Sequence, residues 1–417
     1  MMRCGLLGRV LTHSYSPIIH KALGGRYSYE LFEVEPEHLE SFIKQGDFNG
    51  INVTMPYKQA VMPFCETLSE AAEVIGSVNT ILRTPDGSLH GDNTDAEGFL
   101  AMLQQVAIEV RGKKVLVLGG GGSSLTICHV LREQKAGEII VISRSGADNY
   151  ENIDRHSDAQ IIVNTTPIGM YPNTDDCPVE LNIFPVLEGV LDIIFNPART
   201  GLMAQAKERG IPHIGGLLML VGQAAAAARI FARDTGFADD ALSVESTMNL
   251  MRRQMENIIL IGMPGSGKST LGNILRERTG RQLVDTDSEI EQAAGMSIPE
   301  IFEREGEAGF RVRETEILKK RGKESGLIIS TGGGIVTKEE NFRHLKQNGQ
   351  MFLIERQSTL LEREGRPLSA GNLDEMYKRR LPMYRRFADY TIQNENEPEA
   401  VAAKILEVFD EILGGVQ

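Results

Sequence analysis

Short apolar, β-branched-rich runs alternate along the chain with stretches whose apolar residues recur every three or four positions. A strand followed by an amphipathic helix, repeated, is the rhythm of α/β proteins with parallel sheets. In the first hundred residues the runs 4–7, 29–34, 50–54 and 79–82 predict strands. A second series, 114–118, 138–143, 159–164 and 189–194, predicts another sheet. The Ala-rich segment 217–233 predicts a helix. An amphipathic pattern over 241–255 precedes a third start, the strand 257–261. No Gly/Ser or Pro-rich linker separates these pieces, so the boundary near Glu256 is tight. Two glycine-rich turns follow strands, at Gly119 and Gly262, with spacings too different for an internal repeat.

A chain of 417 residues has room for about two or three domains. With 41% hydrophobic and 24% charged residues it has a globular composition. A net charge of −13 argues against nucleic-acid or anionic-membrane partners, which favour basic surfaces. Cys4, Cys65, Cys128 and Cys177 form no CxxC pair and read as reduced thiols. The N-terminus lacks the features of a signal peptide, and no apolar run approaches the roughly 20 residues of a membrane span. The expected location is the cytoplasm. The isolated histidines carry no metal-site spacing, and oligomeric state, including a homo-oligomer, stays open.

The strongest chemical signal is Gly262-Met-Pro-Gly265-Ser266-Gly267-Lys268-Ser269, which satisfies GxxxxGK[ST] between an apolar strand and a helix. Its glycines let backbone N–H groups curl round phosphate oxygens, and the helix N-terminus adds partial positive charge. Lys268 would reach the β- and γ-phosphates, and the Ser269 hydroxyl, followed by Thr270, would ligate Mg²⁺ of ATP. Asp285-Thr-Asp287 closes the next apolar stretch. At a strand end its two carboxylates point the same way, one toward metal and one toward an acceptor hydroxyl; alone, the motif reads equally as a solvated turn. Further on come Phe310-Arg311-Val-Arg-Glu314, Thr331-Gly332-Gly333-Gly334, Arg366-Pro-Leu368 and Arg380 to Tyr384. Each arginine taken singly reads as a surface ion pair.

As a set, residues 257–412 resemble the shikimate kinase family. The resemblance implies a P-loop, nucleoside-monophosphate-kinase-like, three-layer α/β domain over 256–417, with an ATP-covering lid around 362–373. It places Gly265, Ser266, Gly267, Lys268, Ser269, Thr270 and Arg366 on ATP, with Lys268, Asp287 and Arg366 catalytic. Asp287, Arg311, Gly332, Gly333, Gly334 and Arg380 would hold shikimate. Ser269 and, through water, Asp285 would serve Mg²⁺. An arginine fork suits a carboxylate substrate.

In the first half, Gly119-Gly120-Gly121-Gly122 follows a strand, with Ser123 next and Ser124 where a third glycine of GxGxxG would sit. Alone this is a weak dinucleotide signal. The next strand ends in Ser143-Arg144, and an arginine there favours a 2′-phosphate over a bare ribose. Polar clusters lie at earlier strand ends: His13-Ser14-Tyr15-Ser16, Asn52-Val-Thr54-Met-Pro-Tyr-Lys58, Asn79-Thr80 and Asp92-Asn-Thr-Asp95. Such groups could line a pocket for a polyhydroxylated ring, and singly each reads as a cap or turn.

With Asn164-Thr165-Thr-Pro-Ile-Gly-Met170, Asp192-Ile-Ile-Phe195-Asn-Pro197 and Gly216 to Gln223, residues 1–240 resemble the shikimate dehydrogenase family. The resemblance implies a substrate domain over 1–100, completed by helices about 216–255, and a Rossmann-like NADP-binding domain over 101–215. Ser14, Ser16, Thr54, Lys58, Asn79, Asp95 and Gln223 would bind substrate, with Lys58 and Asp95 the catalytic pair. Gly119, Gly120, Gly121, Gly122, Ser123, Ser143, Arg144, Thr165 and Met170 would bind NADPH. Three departures stand out: Leu125 replaces an arginine of the family's turn, Arg144 lacks a second basic neighbour, and Phe195 replaces a tyrosine. Only 14 residues lie between Arg144 and Ala159, about the minimum for a crossover with its helix. A trimmed adenosine side and a less selective cofactor site follow.

The product of one implied reaction is the substrate of the other. The combined expectation is a bifunctional enzyme that reduces 3-dehydroshikimate to shikimate with NADPH and phosphorylates shikimate with ATP. The alternatives are a kinase fused to a non-catalytic shikimate-binding module, or to a quinate oxidase using NAD.

Overall fold

The computed structural model describes residues 2–11, 14–233, 243–356, 373–395 and 397–414. Two compact units emerge, one of Met1–Phe195 with Thr200–Met251, the other of Asn196–Arg199 with Arg252–Gln417.

The first unit holds two sheets. One is six-stranded, from β1 (Met2–Gly8), β2 (Tyr27–Glu33), β3 (Gly50–Val53), β4 (Thr67–Leu68), β5 (Thr80–Arg83) and β6 (Leu89–Asp92), in the order β2-β1-β3-β5-β6-β4. β1 runs parallel to β2 and β3, with Leu6 opposite Asn52, whereas β5 is antiparallel to both β3 and β6. The other is a parallel sheet of β7 (Lys114–Leu118), β8 (Glu138–Ile142), β9 (Ile161–Asn164), β10 (Gly189–Asp192) and β11 (His213–Ile214), ordered β11-β10-β9-β7-β8. Val115 and Val117 pack on one face and Leu116 and Leu118 on the other, all fully buried. Burial on both faces explains why β7 is an unbroken apolar run rather than an alternation. Each such side chain contributes about 1.5–3 kcal/mol by leaving water.

The chain order reverses at β7, which has β8 on one side and β9 on the other. A crevice opens at the carboxyl ends of strands at such a switch point, and the Gly119–Gly122 turn lies there. The short link after β8 carries no α-helix, only a 3-10 turn at Ile153–His156. Asn149, Asn152 and the His156–Asp148 contact of 2.9 Å tie it down.

The second unit is a parallel sheet of β12 (Asn257–Ile261), β13 (Leu283–Asp285), β14 (Ile328–Ser330), β15 (Gly349–Glu355) and β16 (Tyr390–Gln393), ordered β13-β14-β12-β15-β16. Ile259 and Ile261 face one helical layer and Ile258 and Leu260 the other. β12 is again the reversal strand, and the phosphate-loop sequence follows it. No helix among the described residues is long and apolar enough to cross a membrane.

Candidate functional sites

In the first unit a cavity of about 450 Å³ is lined by Ser14, Ser16, Thr54, Lys58, Asn79, Asp95 and Gln223, the seven residues singled out from sequence. Asn52, Tyr15, Ile193, Phe195, Met219 and Leu220 line it as well. Thr54 follows β3, Asn79 precedes β5, Ser16 and Asp95 open helices, and Gln223 comes from within the helix Leu217–Ala232. Lys58 Nζ lies 2.5 Å from Asp95 Oδ2, with both side chains largely withdrawn from solvent (21% and 12% exposed). The Lys58 carbonyl accepts from Val78 N at 2.8 Å, which fixes the backbone under the ammonium. Asp95 opens the helix Asp95–Val106, whose dipole favours a negative charge at that end. The Asn79 carbonyl oxygen accepts from Thr94 N at 2.7 Å and from the Thr80 hydroxyl, which leaves its NH₂ as a donor. Gln223 donates to Leu220 O at 3.0 Å, and the Ser14 hydroxyl accepts from Ser16 N. His13 of this cluster lies outside the described residues.

On the nucleotide side, Gly119 has φ +107°, and a Cβ there would sit 2.7 Å from Thr165 Oγ1. Only glycine allows β7 and β9 to turn out this close together. Gly121 caps the helix Gly122–Glu133, which also carries Ser123; a Cβ at Gly121 or Gly122 would meet nothing, so open space lies over this turn. A Cβ at Gly120 would touch Ser143 at 3.3 Å, which places the end of β8 beside the turn. Arg144 is exposed and makes no hydrogen bond or ion pair with described residues. Met170 and Leu125 are both 42% exposed.

In the second unit the loop Gly262–Ser269 turns with positive φ at Gly262, Gly265 and Gly267. A Cβ at Gly267 would strike the Asn394 amide at 2.5 Å, and that amide donates to Ser266 O at 2.7 Å. Lys268 is buried, with Nζ donating to Gly262 O and Met263 O at 2.8 and 2.9 Å. Thr270 follows in the helix Lys268–Thr279. The Ser269 hydroxyl donates to Asp285 Oδ2 at 3.0 Å.

The strand-end reading of Asp285 and Asp287 needs correction. β13 ends at Asp285, which caps the helix Thr286–Ala294 by accepting from Ser288 N, and Asp287 lies in that helix's first turn. An Asp at a helix start satisfies an orphan N–H, and this capping overrides continued extension. The two carboxylates therefore take different directions: Asp285 meets Ser269, while Asp287 turns toward Gly332, where a Cβ would lie 2.7 Å from Asp287 Oδ1.

Around the triple glycine the chain gathers Asp287, Arg311, Glu314 and Arg380. Arg311 pairs with Glu314 at 2.8 Å and Glu307 at 3.2 Å, and Glu314 is wholly buried. Burial works against the Arg311 charge, and the two glutamates more than offset it, so its pKa stands above the ordinary arginine value. Burial lowers that of Arg380, which donates to Gly333 O at 2.9 Å beside the Tyr384 hydroxyl. Glu314 and Tyr384 sat in the sequence motifs without a role; their burial, invisible in sequence, is what marks them. Asn394 left no sequence signal at all. Arg366 and residues 362–372 of the expected lid lie outside the described residues.

Gly334 gives a sharp test. A Cβ there would lie about 2 Å from the Arg311 guanidinium, which two glutamates pin in place. Gly334→Ala is expected to raise the acid-substrate KM about 10-fold while moving the ATP KM far less, as measured by coupled kinase assay.

The first unit thus has the geometry of a nucleotide-dependent oxidoreductase, with a Lys–Asp pair in a polar cavity and a glycine turn after strand β7 of its parallel sheet; the second is a P-loop phosphotransferase. Residues 6–81 match the family described as shikimate dehydrogenase substrate binding domain, and residues 264–410 match shikimate kinase. Similar proteins include the shikimate dehydrogenase (NADP(+)) of Clostridium beijerinckii, 39% identical over 54% of this chain and 90% of the relative. That of Methanopyrus kandleri is 36% identical over 54% and 87%. Among solved structures, a chorismate mutase/shikimate 5-dehydrogenase fusion from Clostridium acetobutylicum aligns with TM-score 0.56 and 32% identity, over 60% of this chain and 97% of that one. The Thermus thermophilus shikimate 5-dehydrogenase in complex with NADP(H) and shikimate gives TM-score 0.53 and 31% identity, over 59% and 98%. The chain belongs to the shikimate dehydrogenase family, and it carries a shikimate kinase domain after the dehydrogenase part.

Proposed function

We propose that this chain catalyses two consecutive reactions, NADPH-dependent reduction of 3-dehydroshikimate to shikimate and ATP-dependent phosphorylation of shikimate to its 3-phosphate. The observation that carries the reading is the Lys58–Asp95 pair inside a cavity lined by hydroxyl and amide groups. We assign substrate binding to Ser14, Ser16, Thr54, Asn79, Asp95 and Gln223. Reducing the ring ketone builds negative charge on its oxygen, and Lys58 gives that oxygen a proton. Asp95 holds the ammonium in place.

The residues present fit a dinucleotide: the Gly119–Gly122 turn leaves open space above a helix N-terminus, and Arg144 stands uncommitted beside it. Bound there, NADPH supplies the hydride. Arg144→Ala is expected to cut the preference for NADPH over NADH about 10-fold, read as the ratio of kcat/KM for the two cofactors.

In the kinase, the loop 262–269 would cradle the phosphates of ATP and Lys268 would neutralise them. Ser269 and Asp285 present paired oxygens that suit a hard divalent cation, with Mg²⁺ held partly through its waters. Bound there, Mg²⁺ neutralises phosphate charge. Arg311 and Arg380 would pair the substrate carboxylate, Gly332, Gly333 and Gly334 would let it approach the backbone, and Asp287 would orient the accepting hydroxyl. Four free cysteines fit a reducing, cytoplasmic location.

The test is steady-state NADPH oxidation by the intact chain with 3-dehydroshikimate, repeated with NADH, followed by ATP-dependent phosphorylation of the product. Oxidation with neither cofactor would sink the dehydrogenase half of the reading and leave a shikimate-binding module ahead of a kinase.

A further inference from the structure

We propose that Asp192 is a positioning residue that ties the dinucleotide turn to the wall of the substrate cavity, an inference that rests on the dehydrogenase reading. Asp192 ends β10 and is wholly buried, with no cationic partner among the described residues. Three donors converge on it instead. Its Oδ1 accepts from Asn164 Nδ2 at 3.1 Å and from Ile194 N at 3.0 Å, and its Oδ2 accepts from the Thr200 hydroxyl at 2.7 Å. A carboxylate is the one small side chain that can accept on both oxygens at once.

The first arm leads to the cofactor turn. Asn164, wholly buried at the end of β9, accepts from Thr166 N at 3.0 Å and the Thr166 hydroxyl at 2.7 Å. Thr166 in turn accepts from Ile168 N, and the adjacent Thr165 hydroxyl donates to Leu118 O at 2.7 Å. These two threonines press on Gly119, where a Cβ would lie 2.7 Å from Thr165 Oγ1 and 3.0 Å from Thr166 Cγ2.

The second arm leads to the substrate. Ile194, whose N–H Asp192 holds, accepts from Gly216 N at 2.9 Å, and a Cβ on Gly216 would collide with Ile193 O at 1.9 Å. Ile193, Phe195 and Gly216 line the cavity, and Gly216 opens the helix Leu217–Ala232 that carries Gln223 into it. The third arm, Thr200, caps the helix Gly201–Glu208 through Met203 N and anchors the second carboxylate oxygen. Burial pushes the Asp192 carboxyl up to about 6, against the pull of the three donors. Cys177, itself raised by burial, is the titratable neighbour. Keeping a carboxyl in so dry a place is costly, and the two sites it joins explain what the cost secures.

The experiment is NADPH titration of the intact chain by fluorescence, with steady-state kinetics alongside. Asp192→Asn keeps the shape and loses the charge. It is expected to raise the NADPH Kd and KM about 10-fold, with the 3-dehydroshikimate KM rising and saturating kcat changing far less. Thr200→Val, which keeps shape and drops one donor, should move the same constants by about 3-fold, and Thr200→Ser should restore them. A purely structural role would lower the melting temperature or the active fraction, hence kcat, at unchanged Kd and KM, and that result would overturn the inference alone. An intact chain that binds no NADPH would overturn the cofactor reading and this inference together.

Discussion

Lys58→Ala is expected to lower kcat/KM for 3-dehydroshikimate reduction by about 10²–10⁴-fold, with shikimate phosphorylation by the same chain unchanged. The size follows from the role proposed for the ammonium, a proton donor aligned by a carboxylate at 2.5 Å in a cavity with no second lysine or arginine among its lining residues. Water can replace the proton but not its placement. Truncation also leaves Asp95 in a poorly solvated place without its cation, so substrate affinity should fall along with turnover. Lys58→Arg separates charge from geometry: it restores a cation without returning a compact donor to the same point, and little activity should come back. Measuring NADPH oxidation at saturating substrate decides the matter. A rate for the alanine variant within a few-fold of the parent would remove Lys58 from the chemistry.

The second large effect belongs to Lys268. Lys268→Ala is expected to cost about 10²–10³-fold in kinase kcat, with NADPH oxidation intact. Lys268 is buried and held by the carbonyls of Gly262 and Met263 at the mouth of the loop, so its charge is presented from a fixed base. Phosphoryl transfer depends on alignment and neutralisation, and a buried cation acts there in a weakly screening medium. Because the loop's turns are set by Gly262, Gly265 and Gly267, removing the side chain should leave the backbone cradle standing. ATP binding should therefore weaken less than turnover. Equal losses in ATP affinity and kcat would show instead that the lysine shapes the loop.

Much of this architecture was legible in the chain itself. The strand 114–118 and the strand 257–261 were read with their observed limits, because both are uninterrupted apolar runs closed by glycine. The seven cavity residues were named through the resemblance to the shikimate dehydrogenase family, since singly each reads as a cap or turn, and all seven line one cavity. The DTD motif was misread because capping is a choice between two local structures with similar composition, and the neighbouring helix decided it. Short strands such as β4 and β11, two residues each, leave no periodicity to detect.

The sequence by itself determined the α/β class, the place of both glycine turns and the residue types each chemistry needs, because glycine conformations and hydrophobic periods are local properties. Only the tertiary structure decided which distant groups meet. It set Lys58 on Asp95 across 37 positions and packed Arg311 against Gly334. It also buried Glu314 and Asp192 where no solvent reaches. Burial and proximity are sums over the whole chain, so no window of sequence contains them.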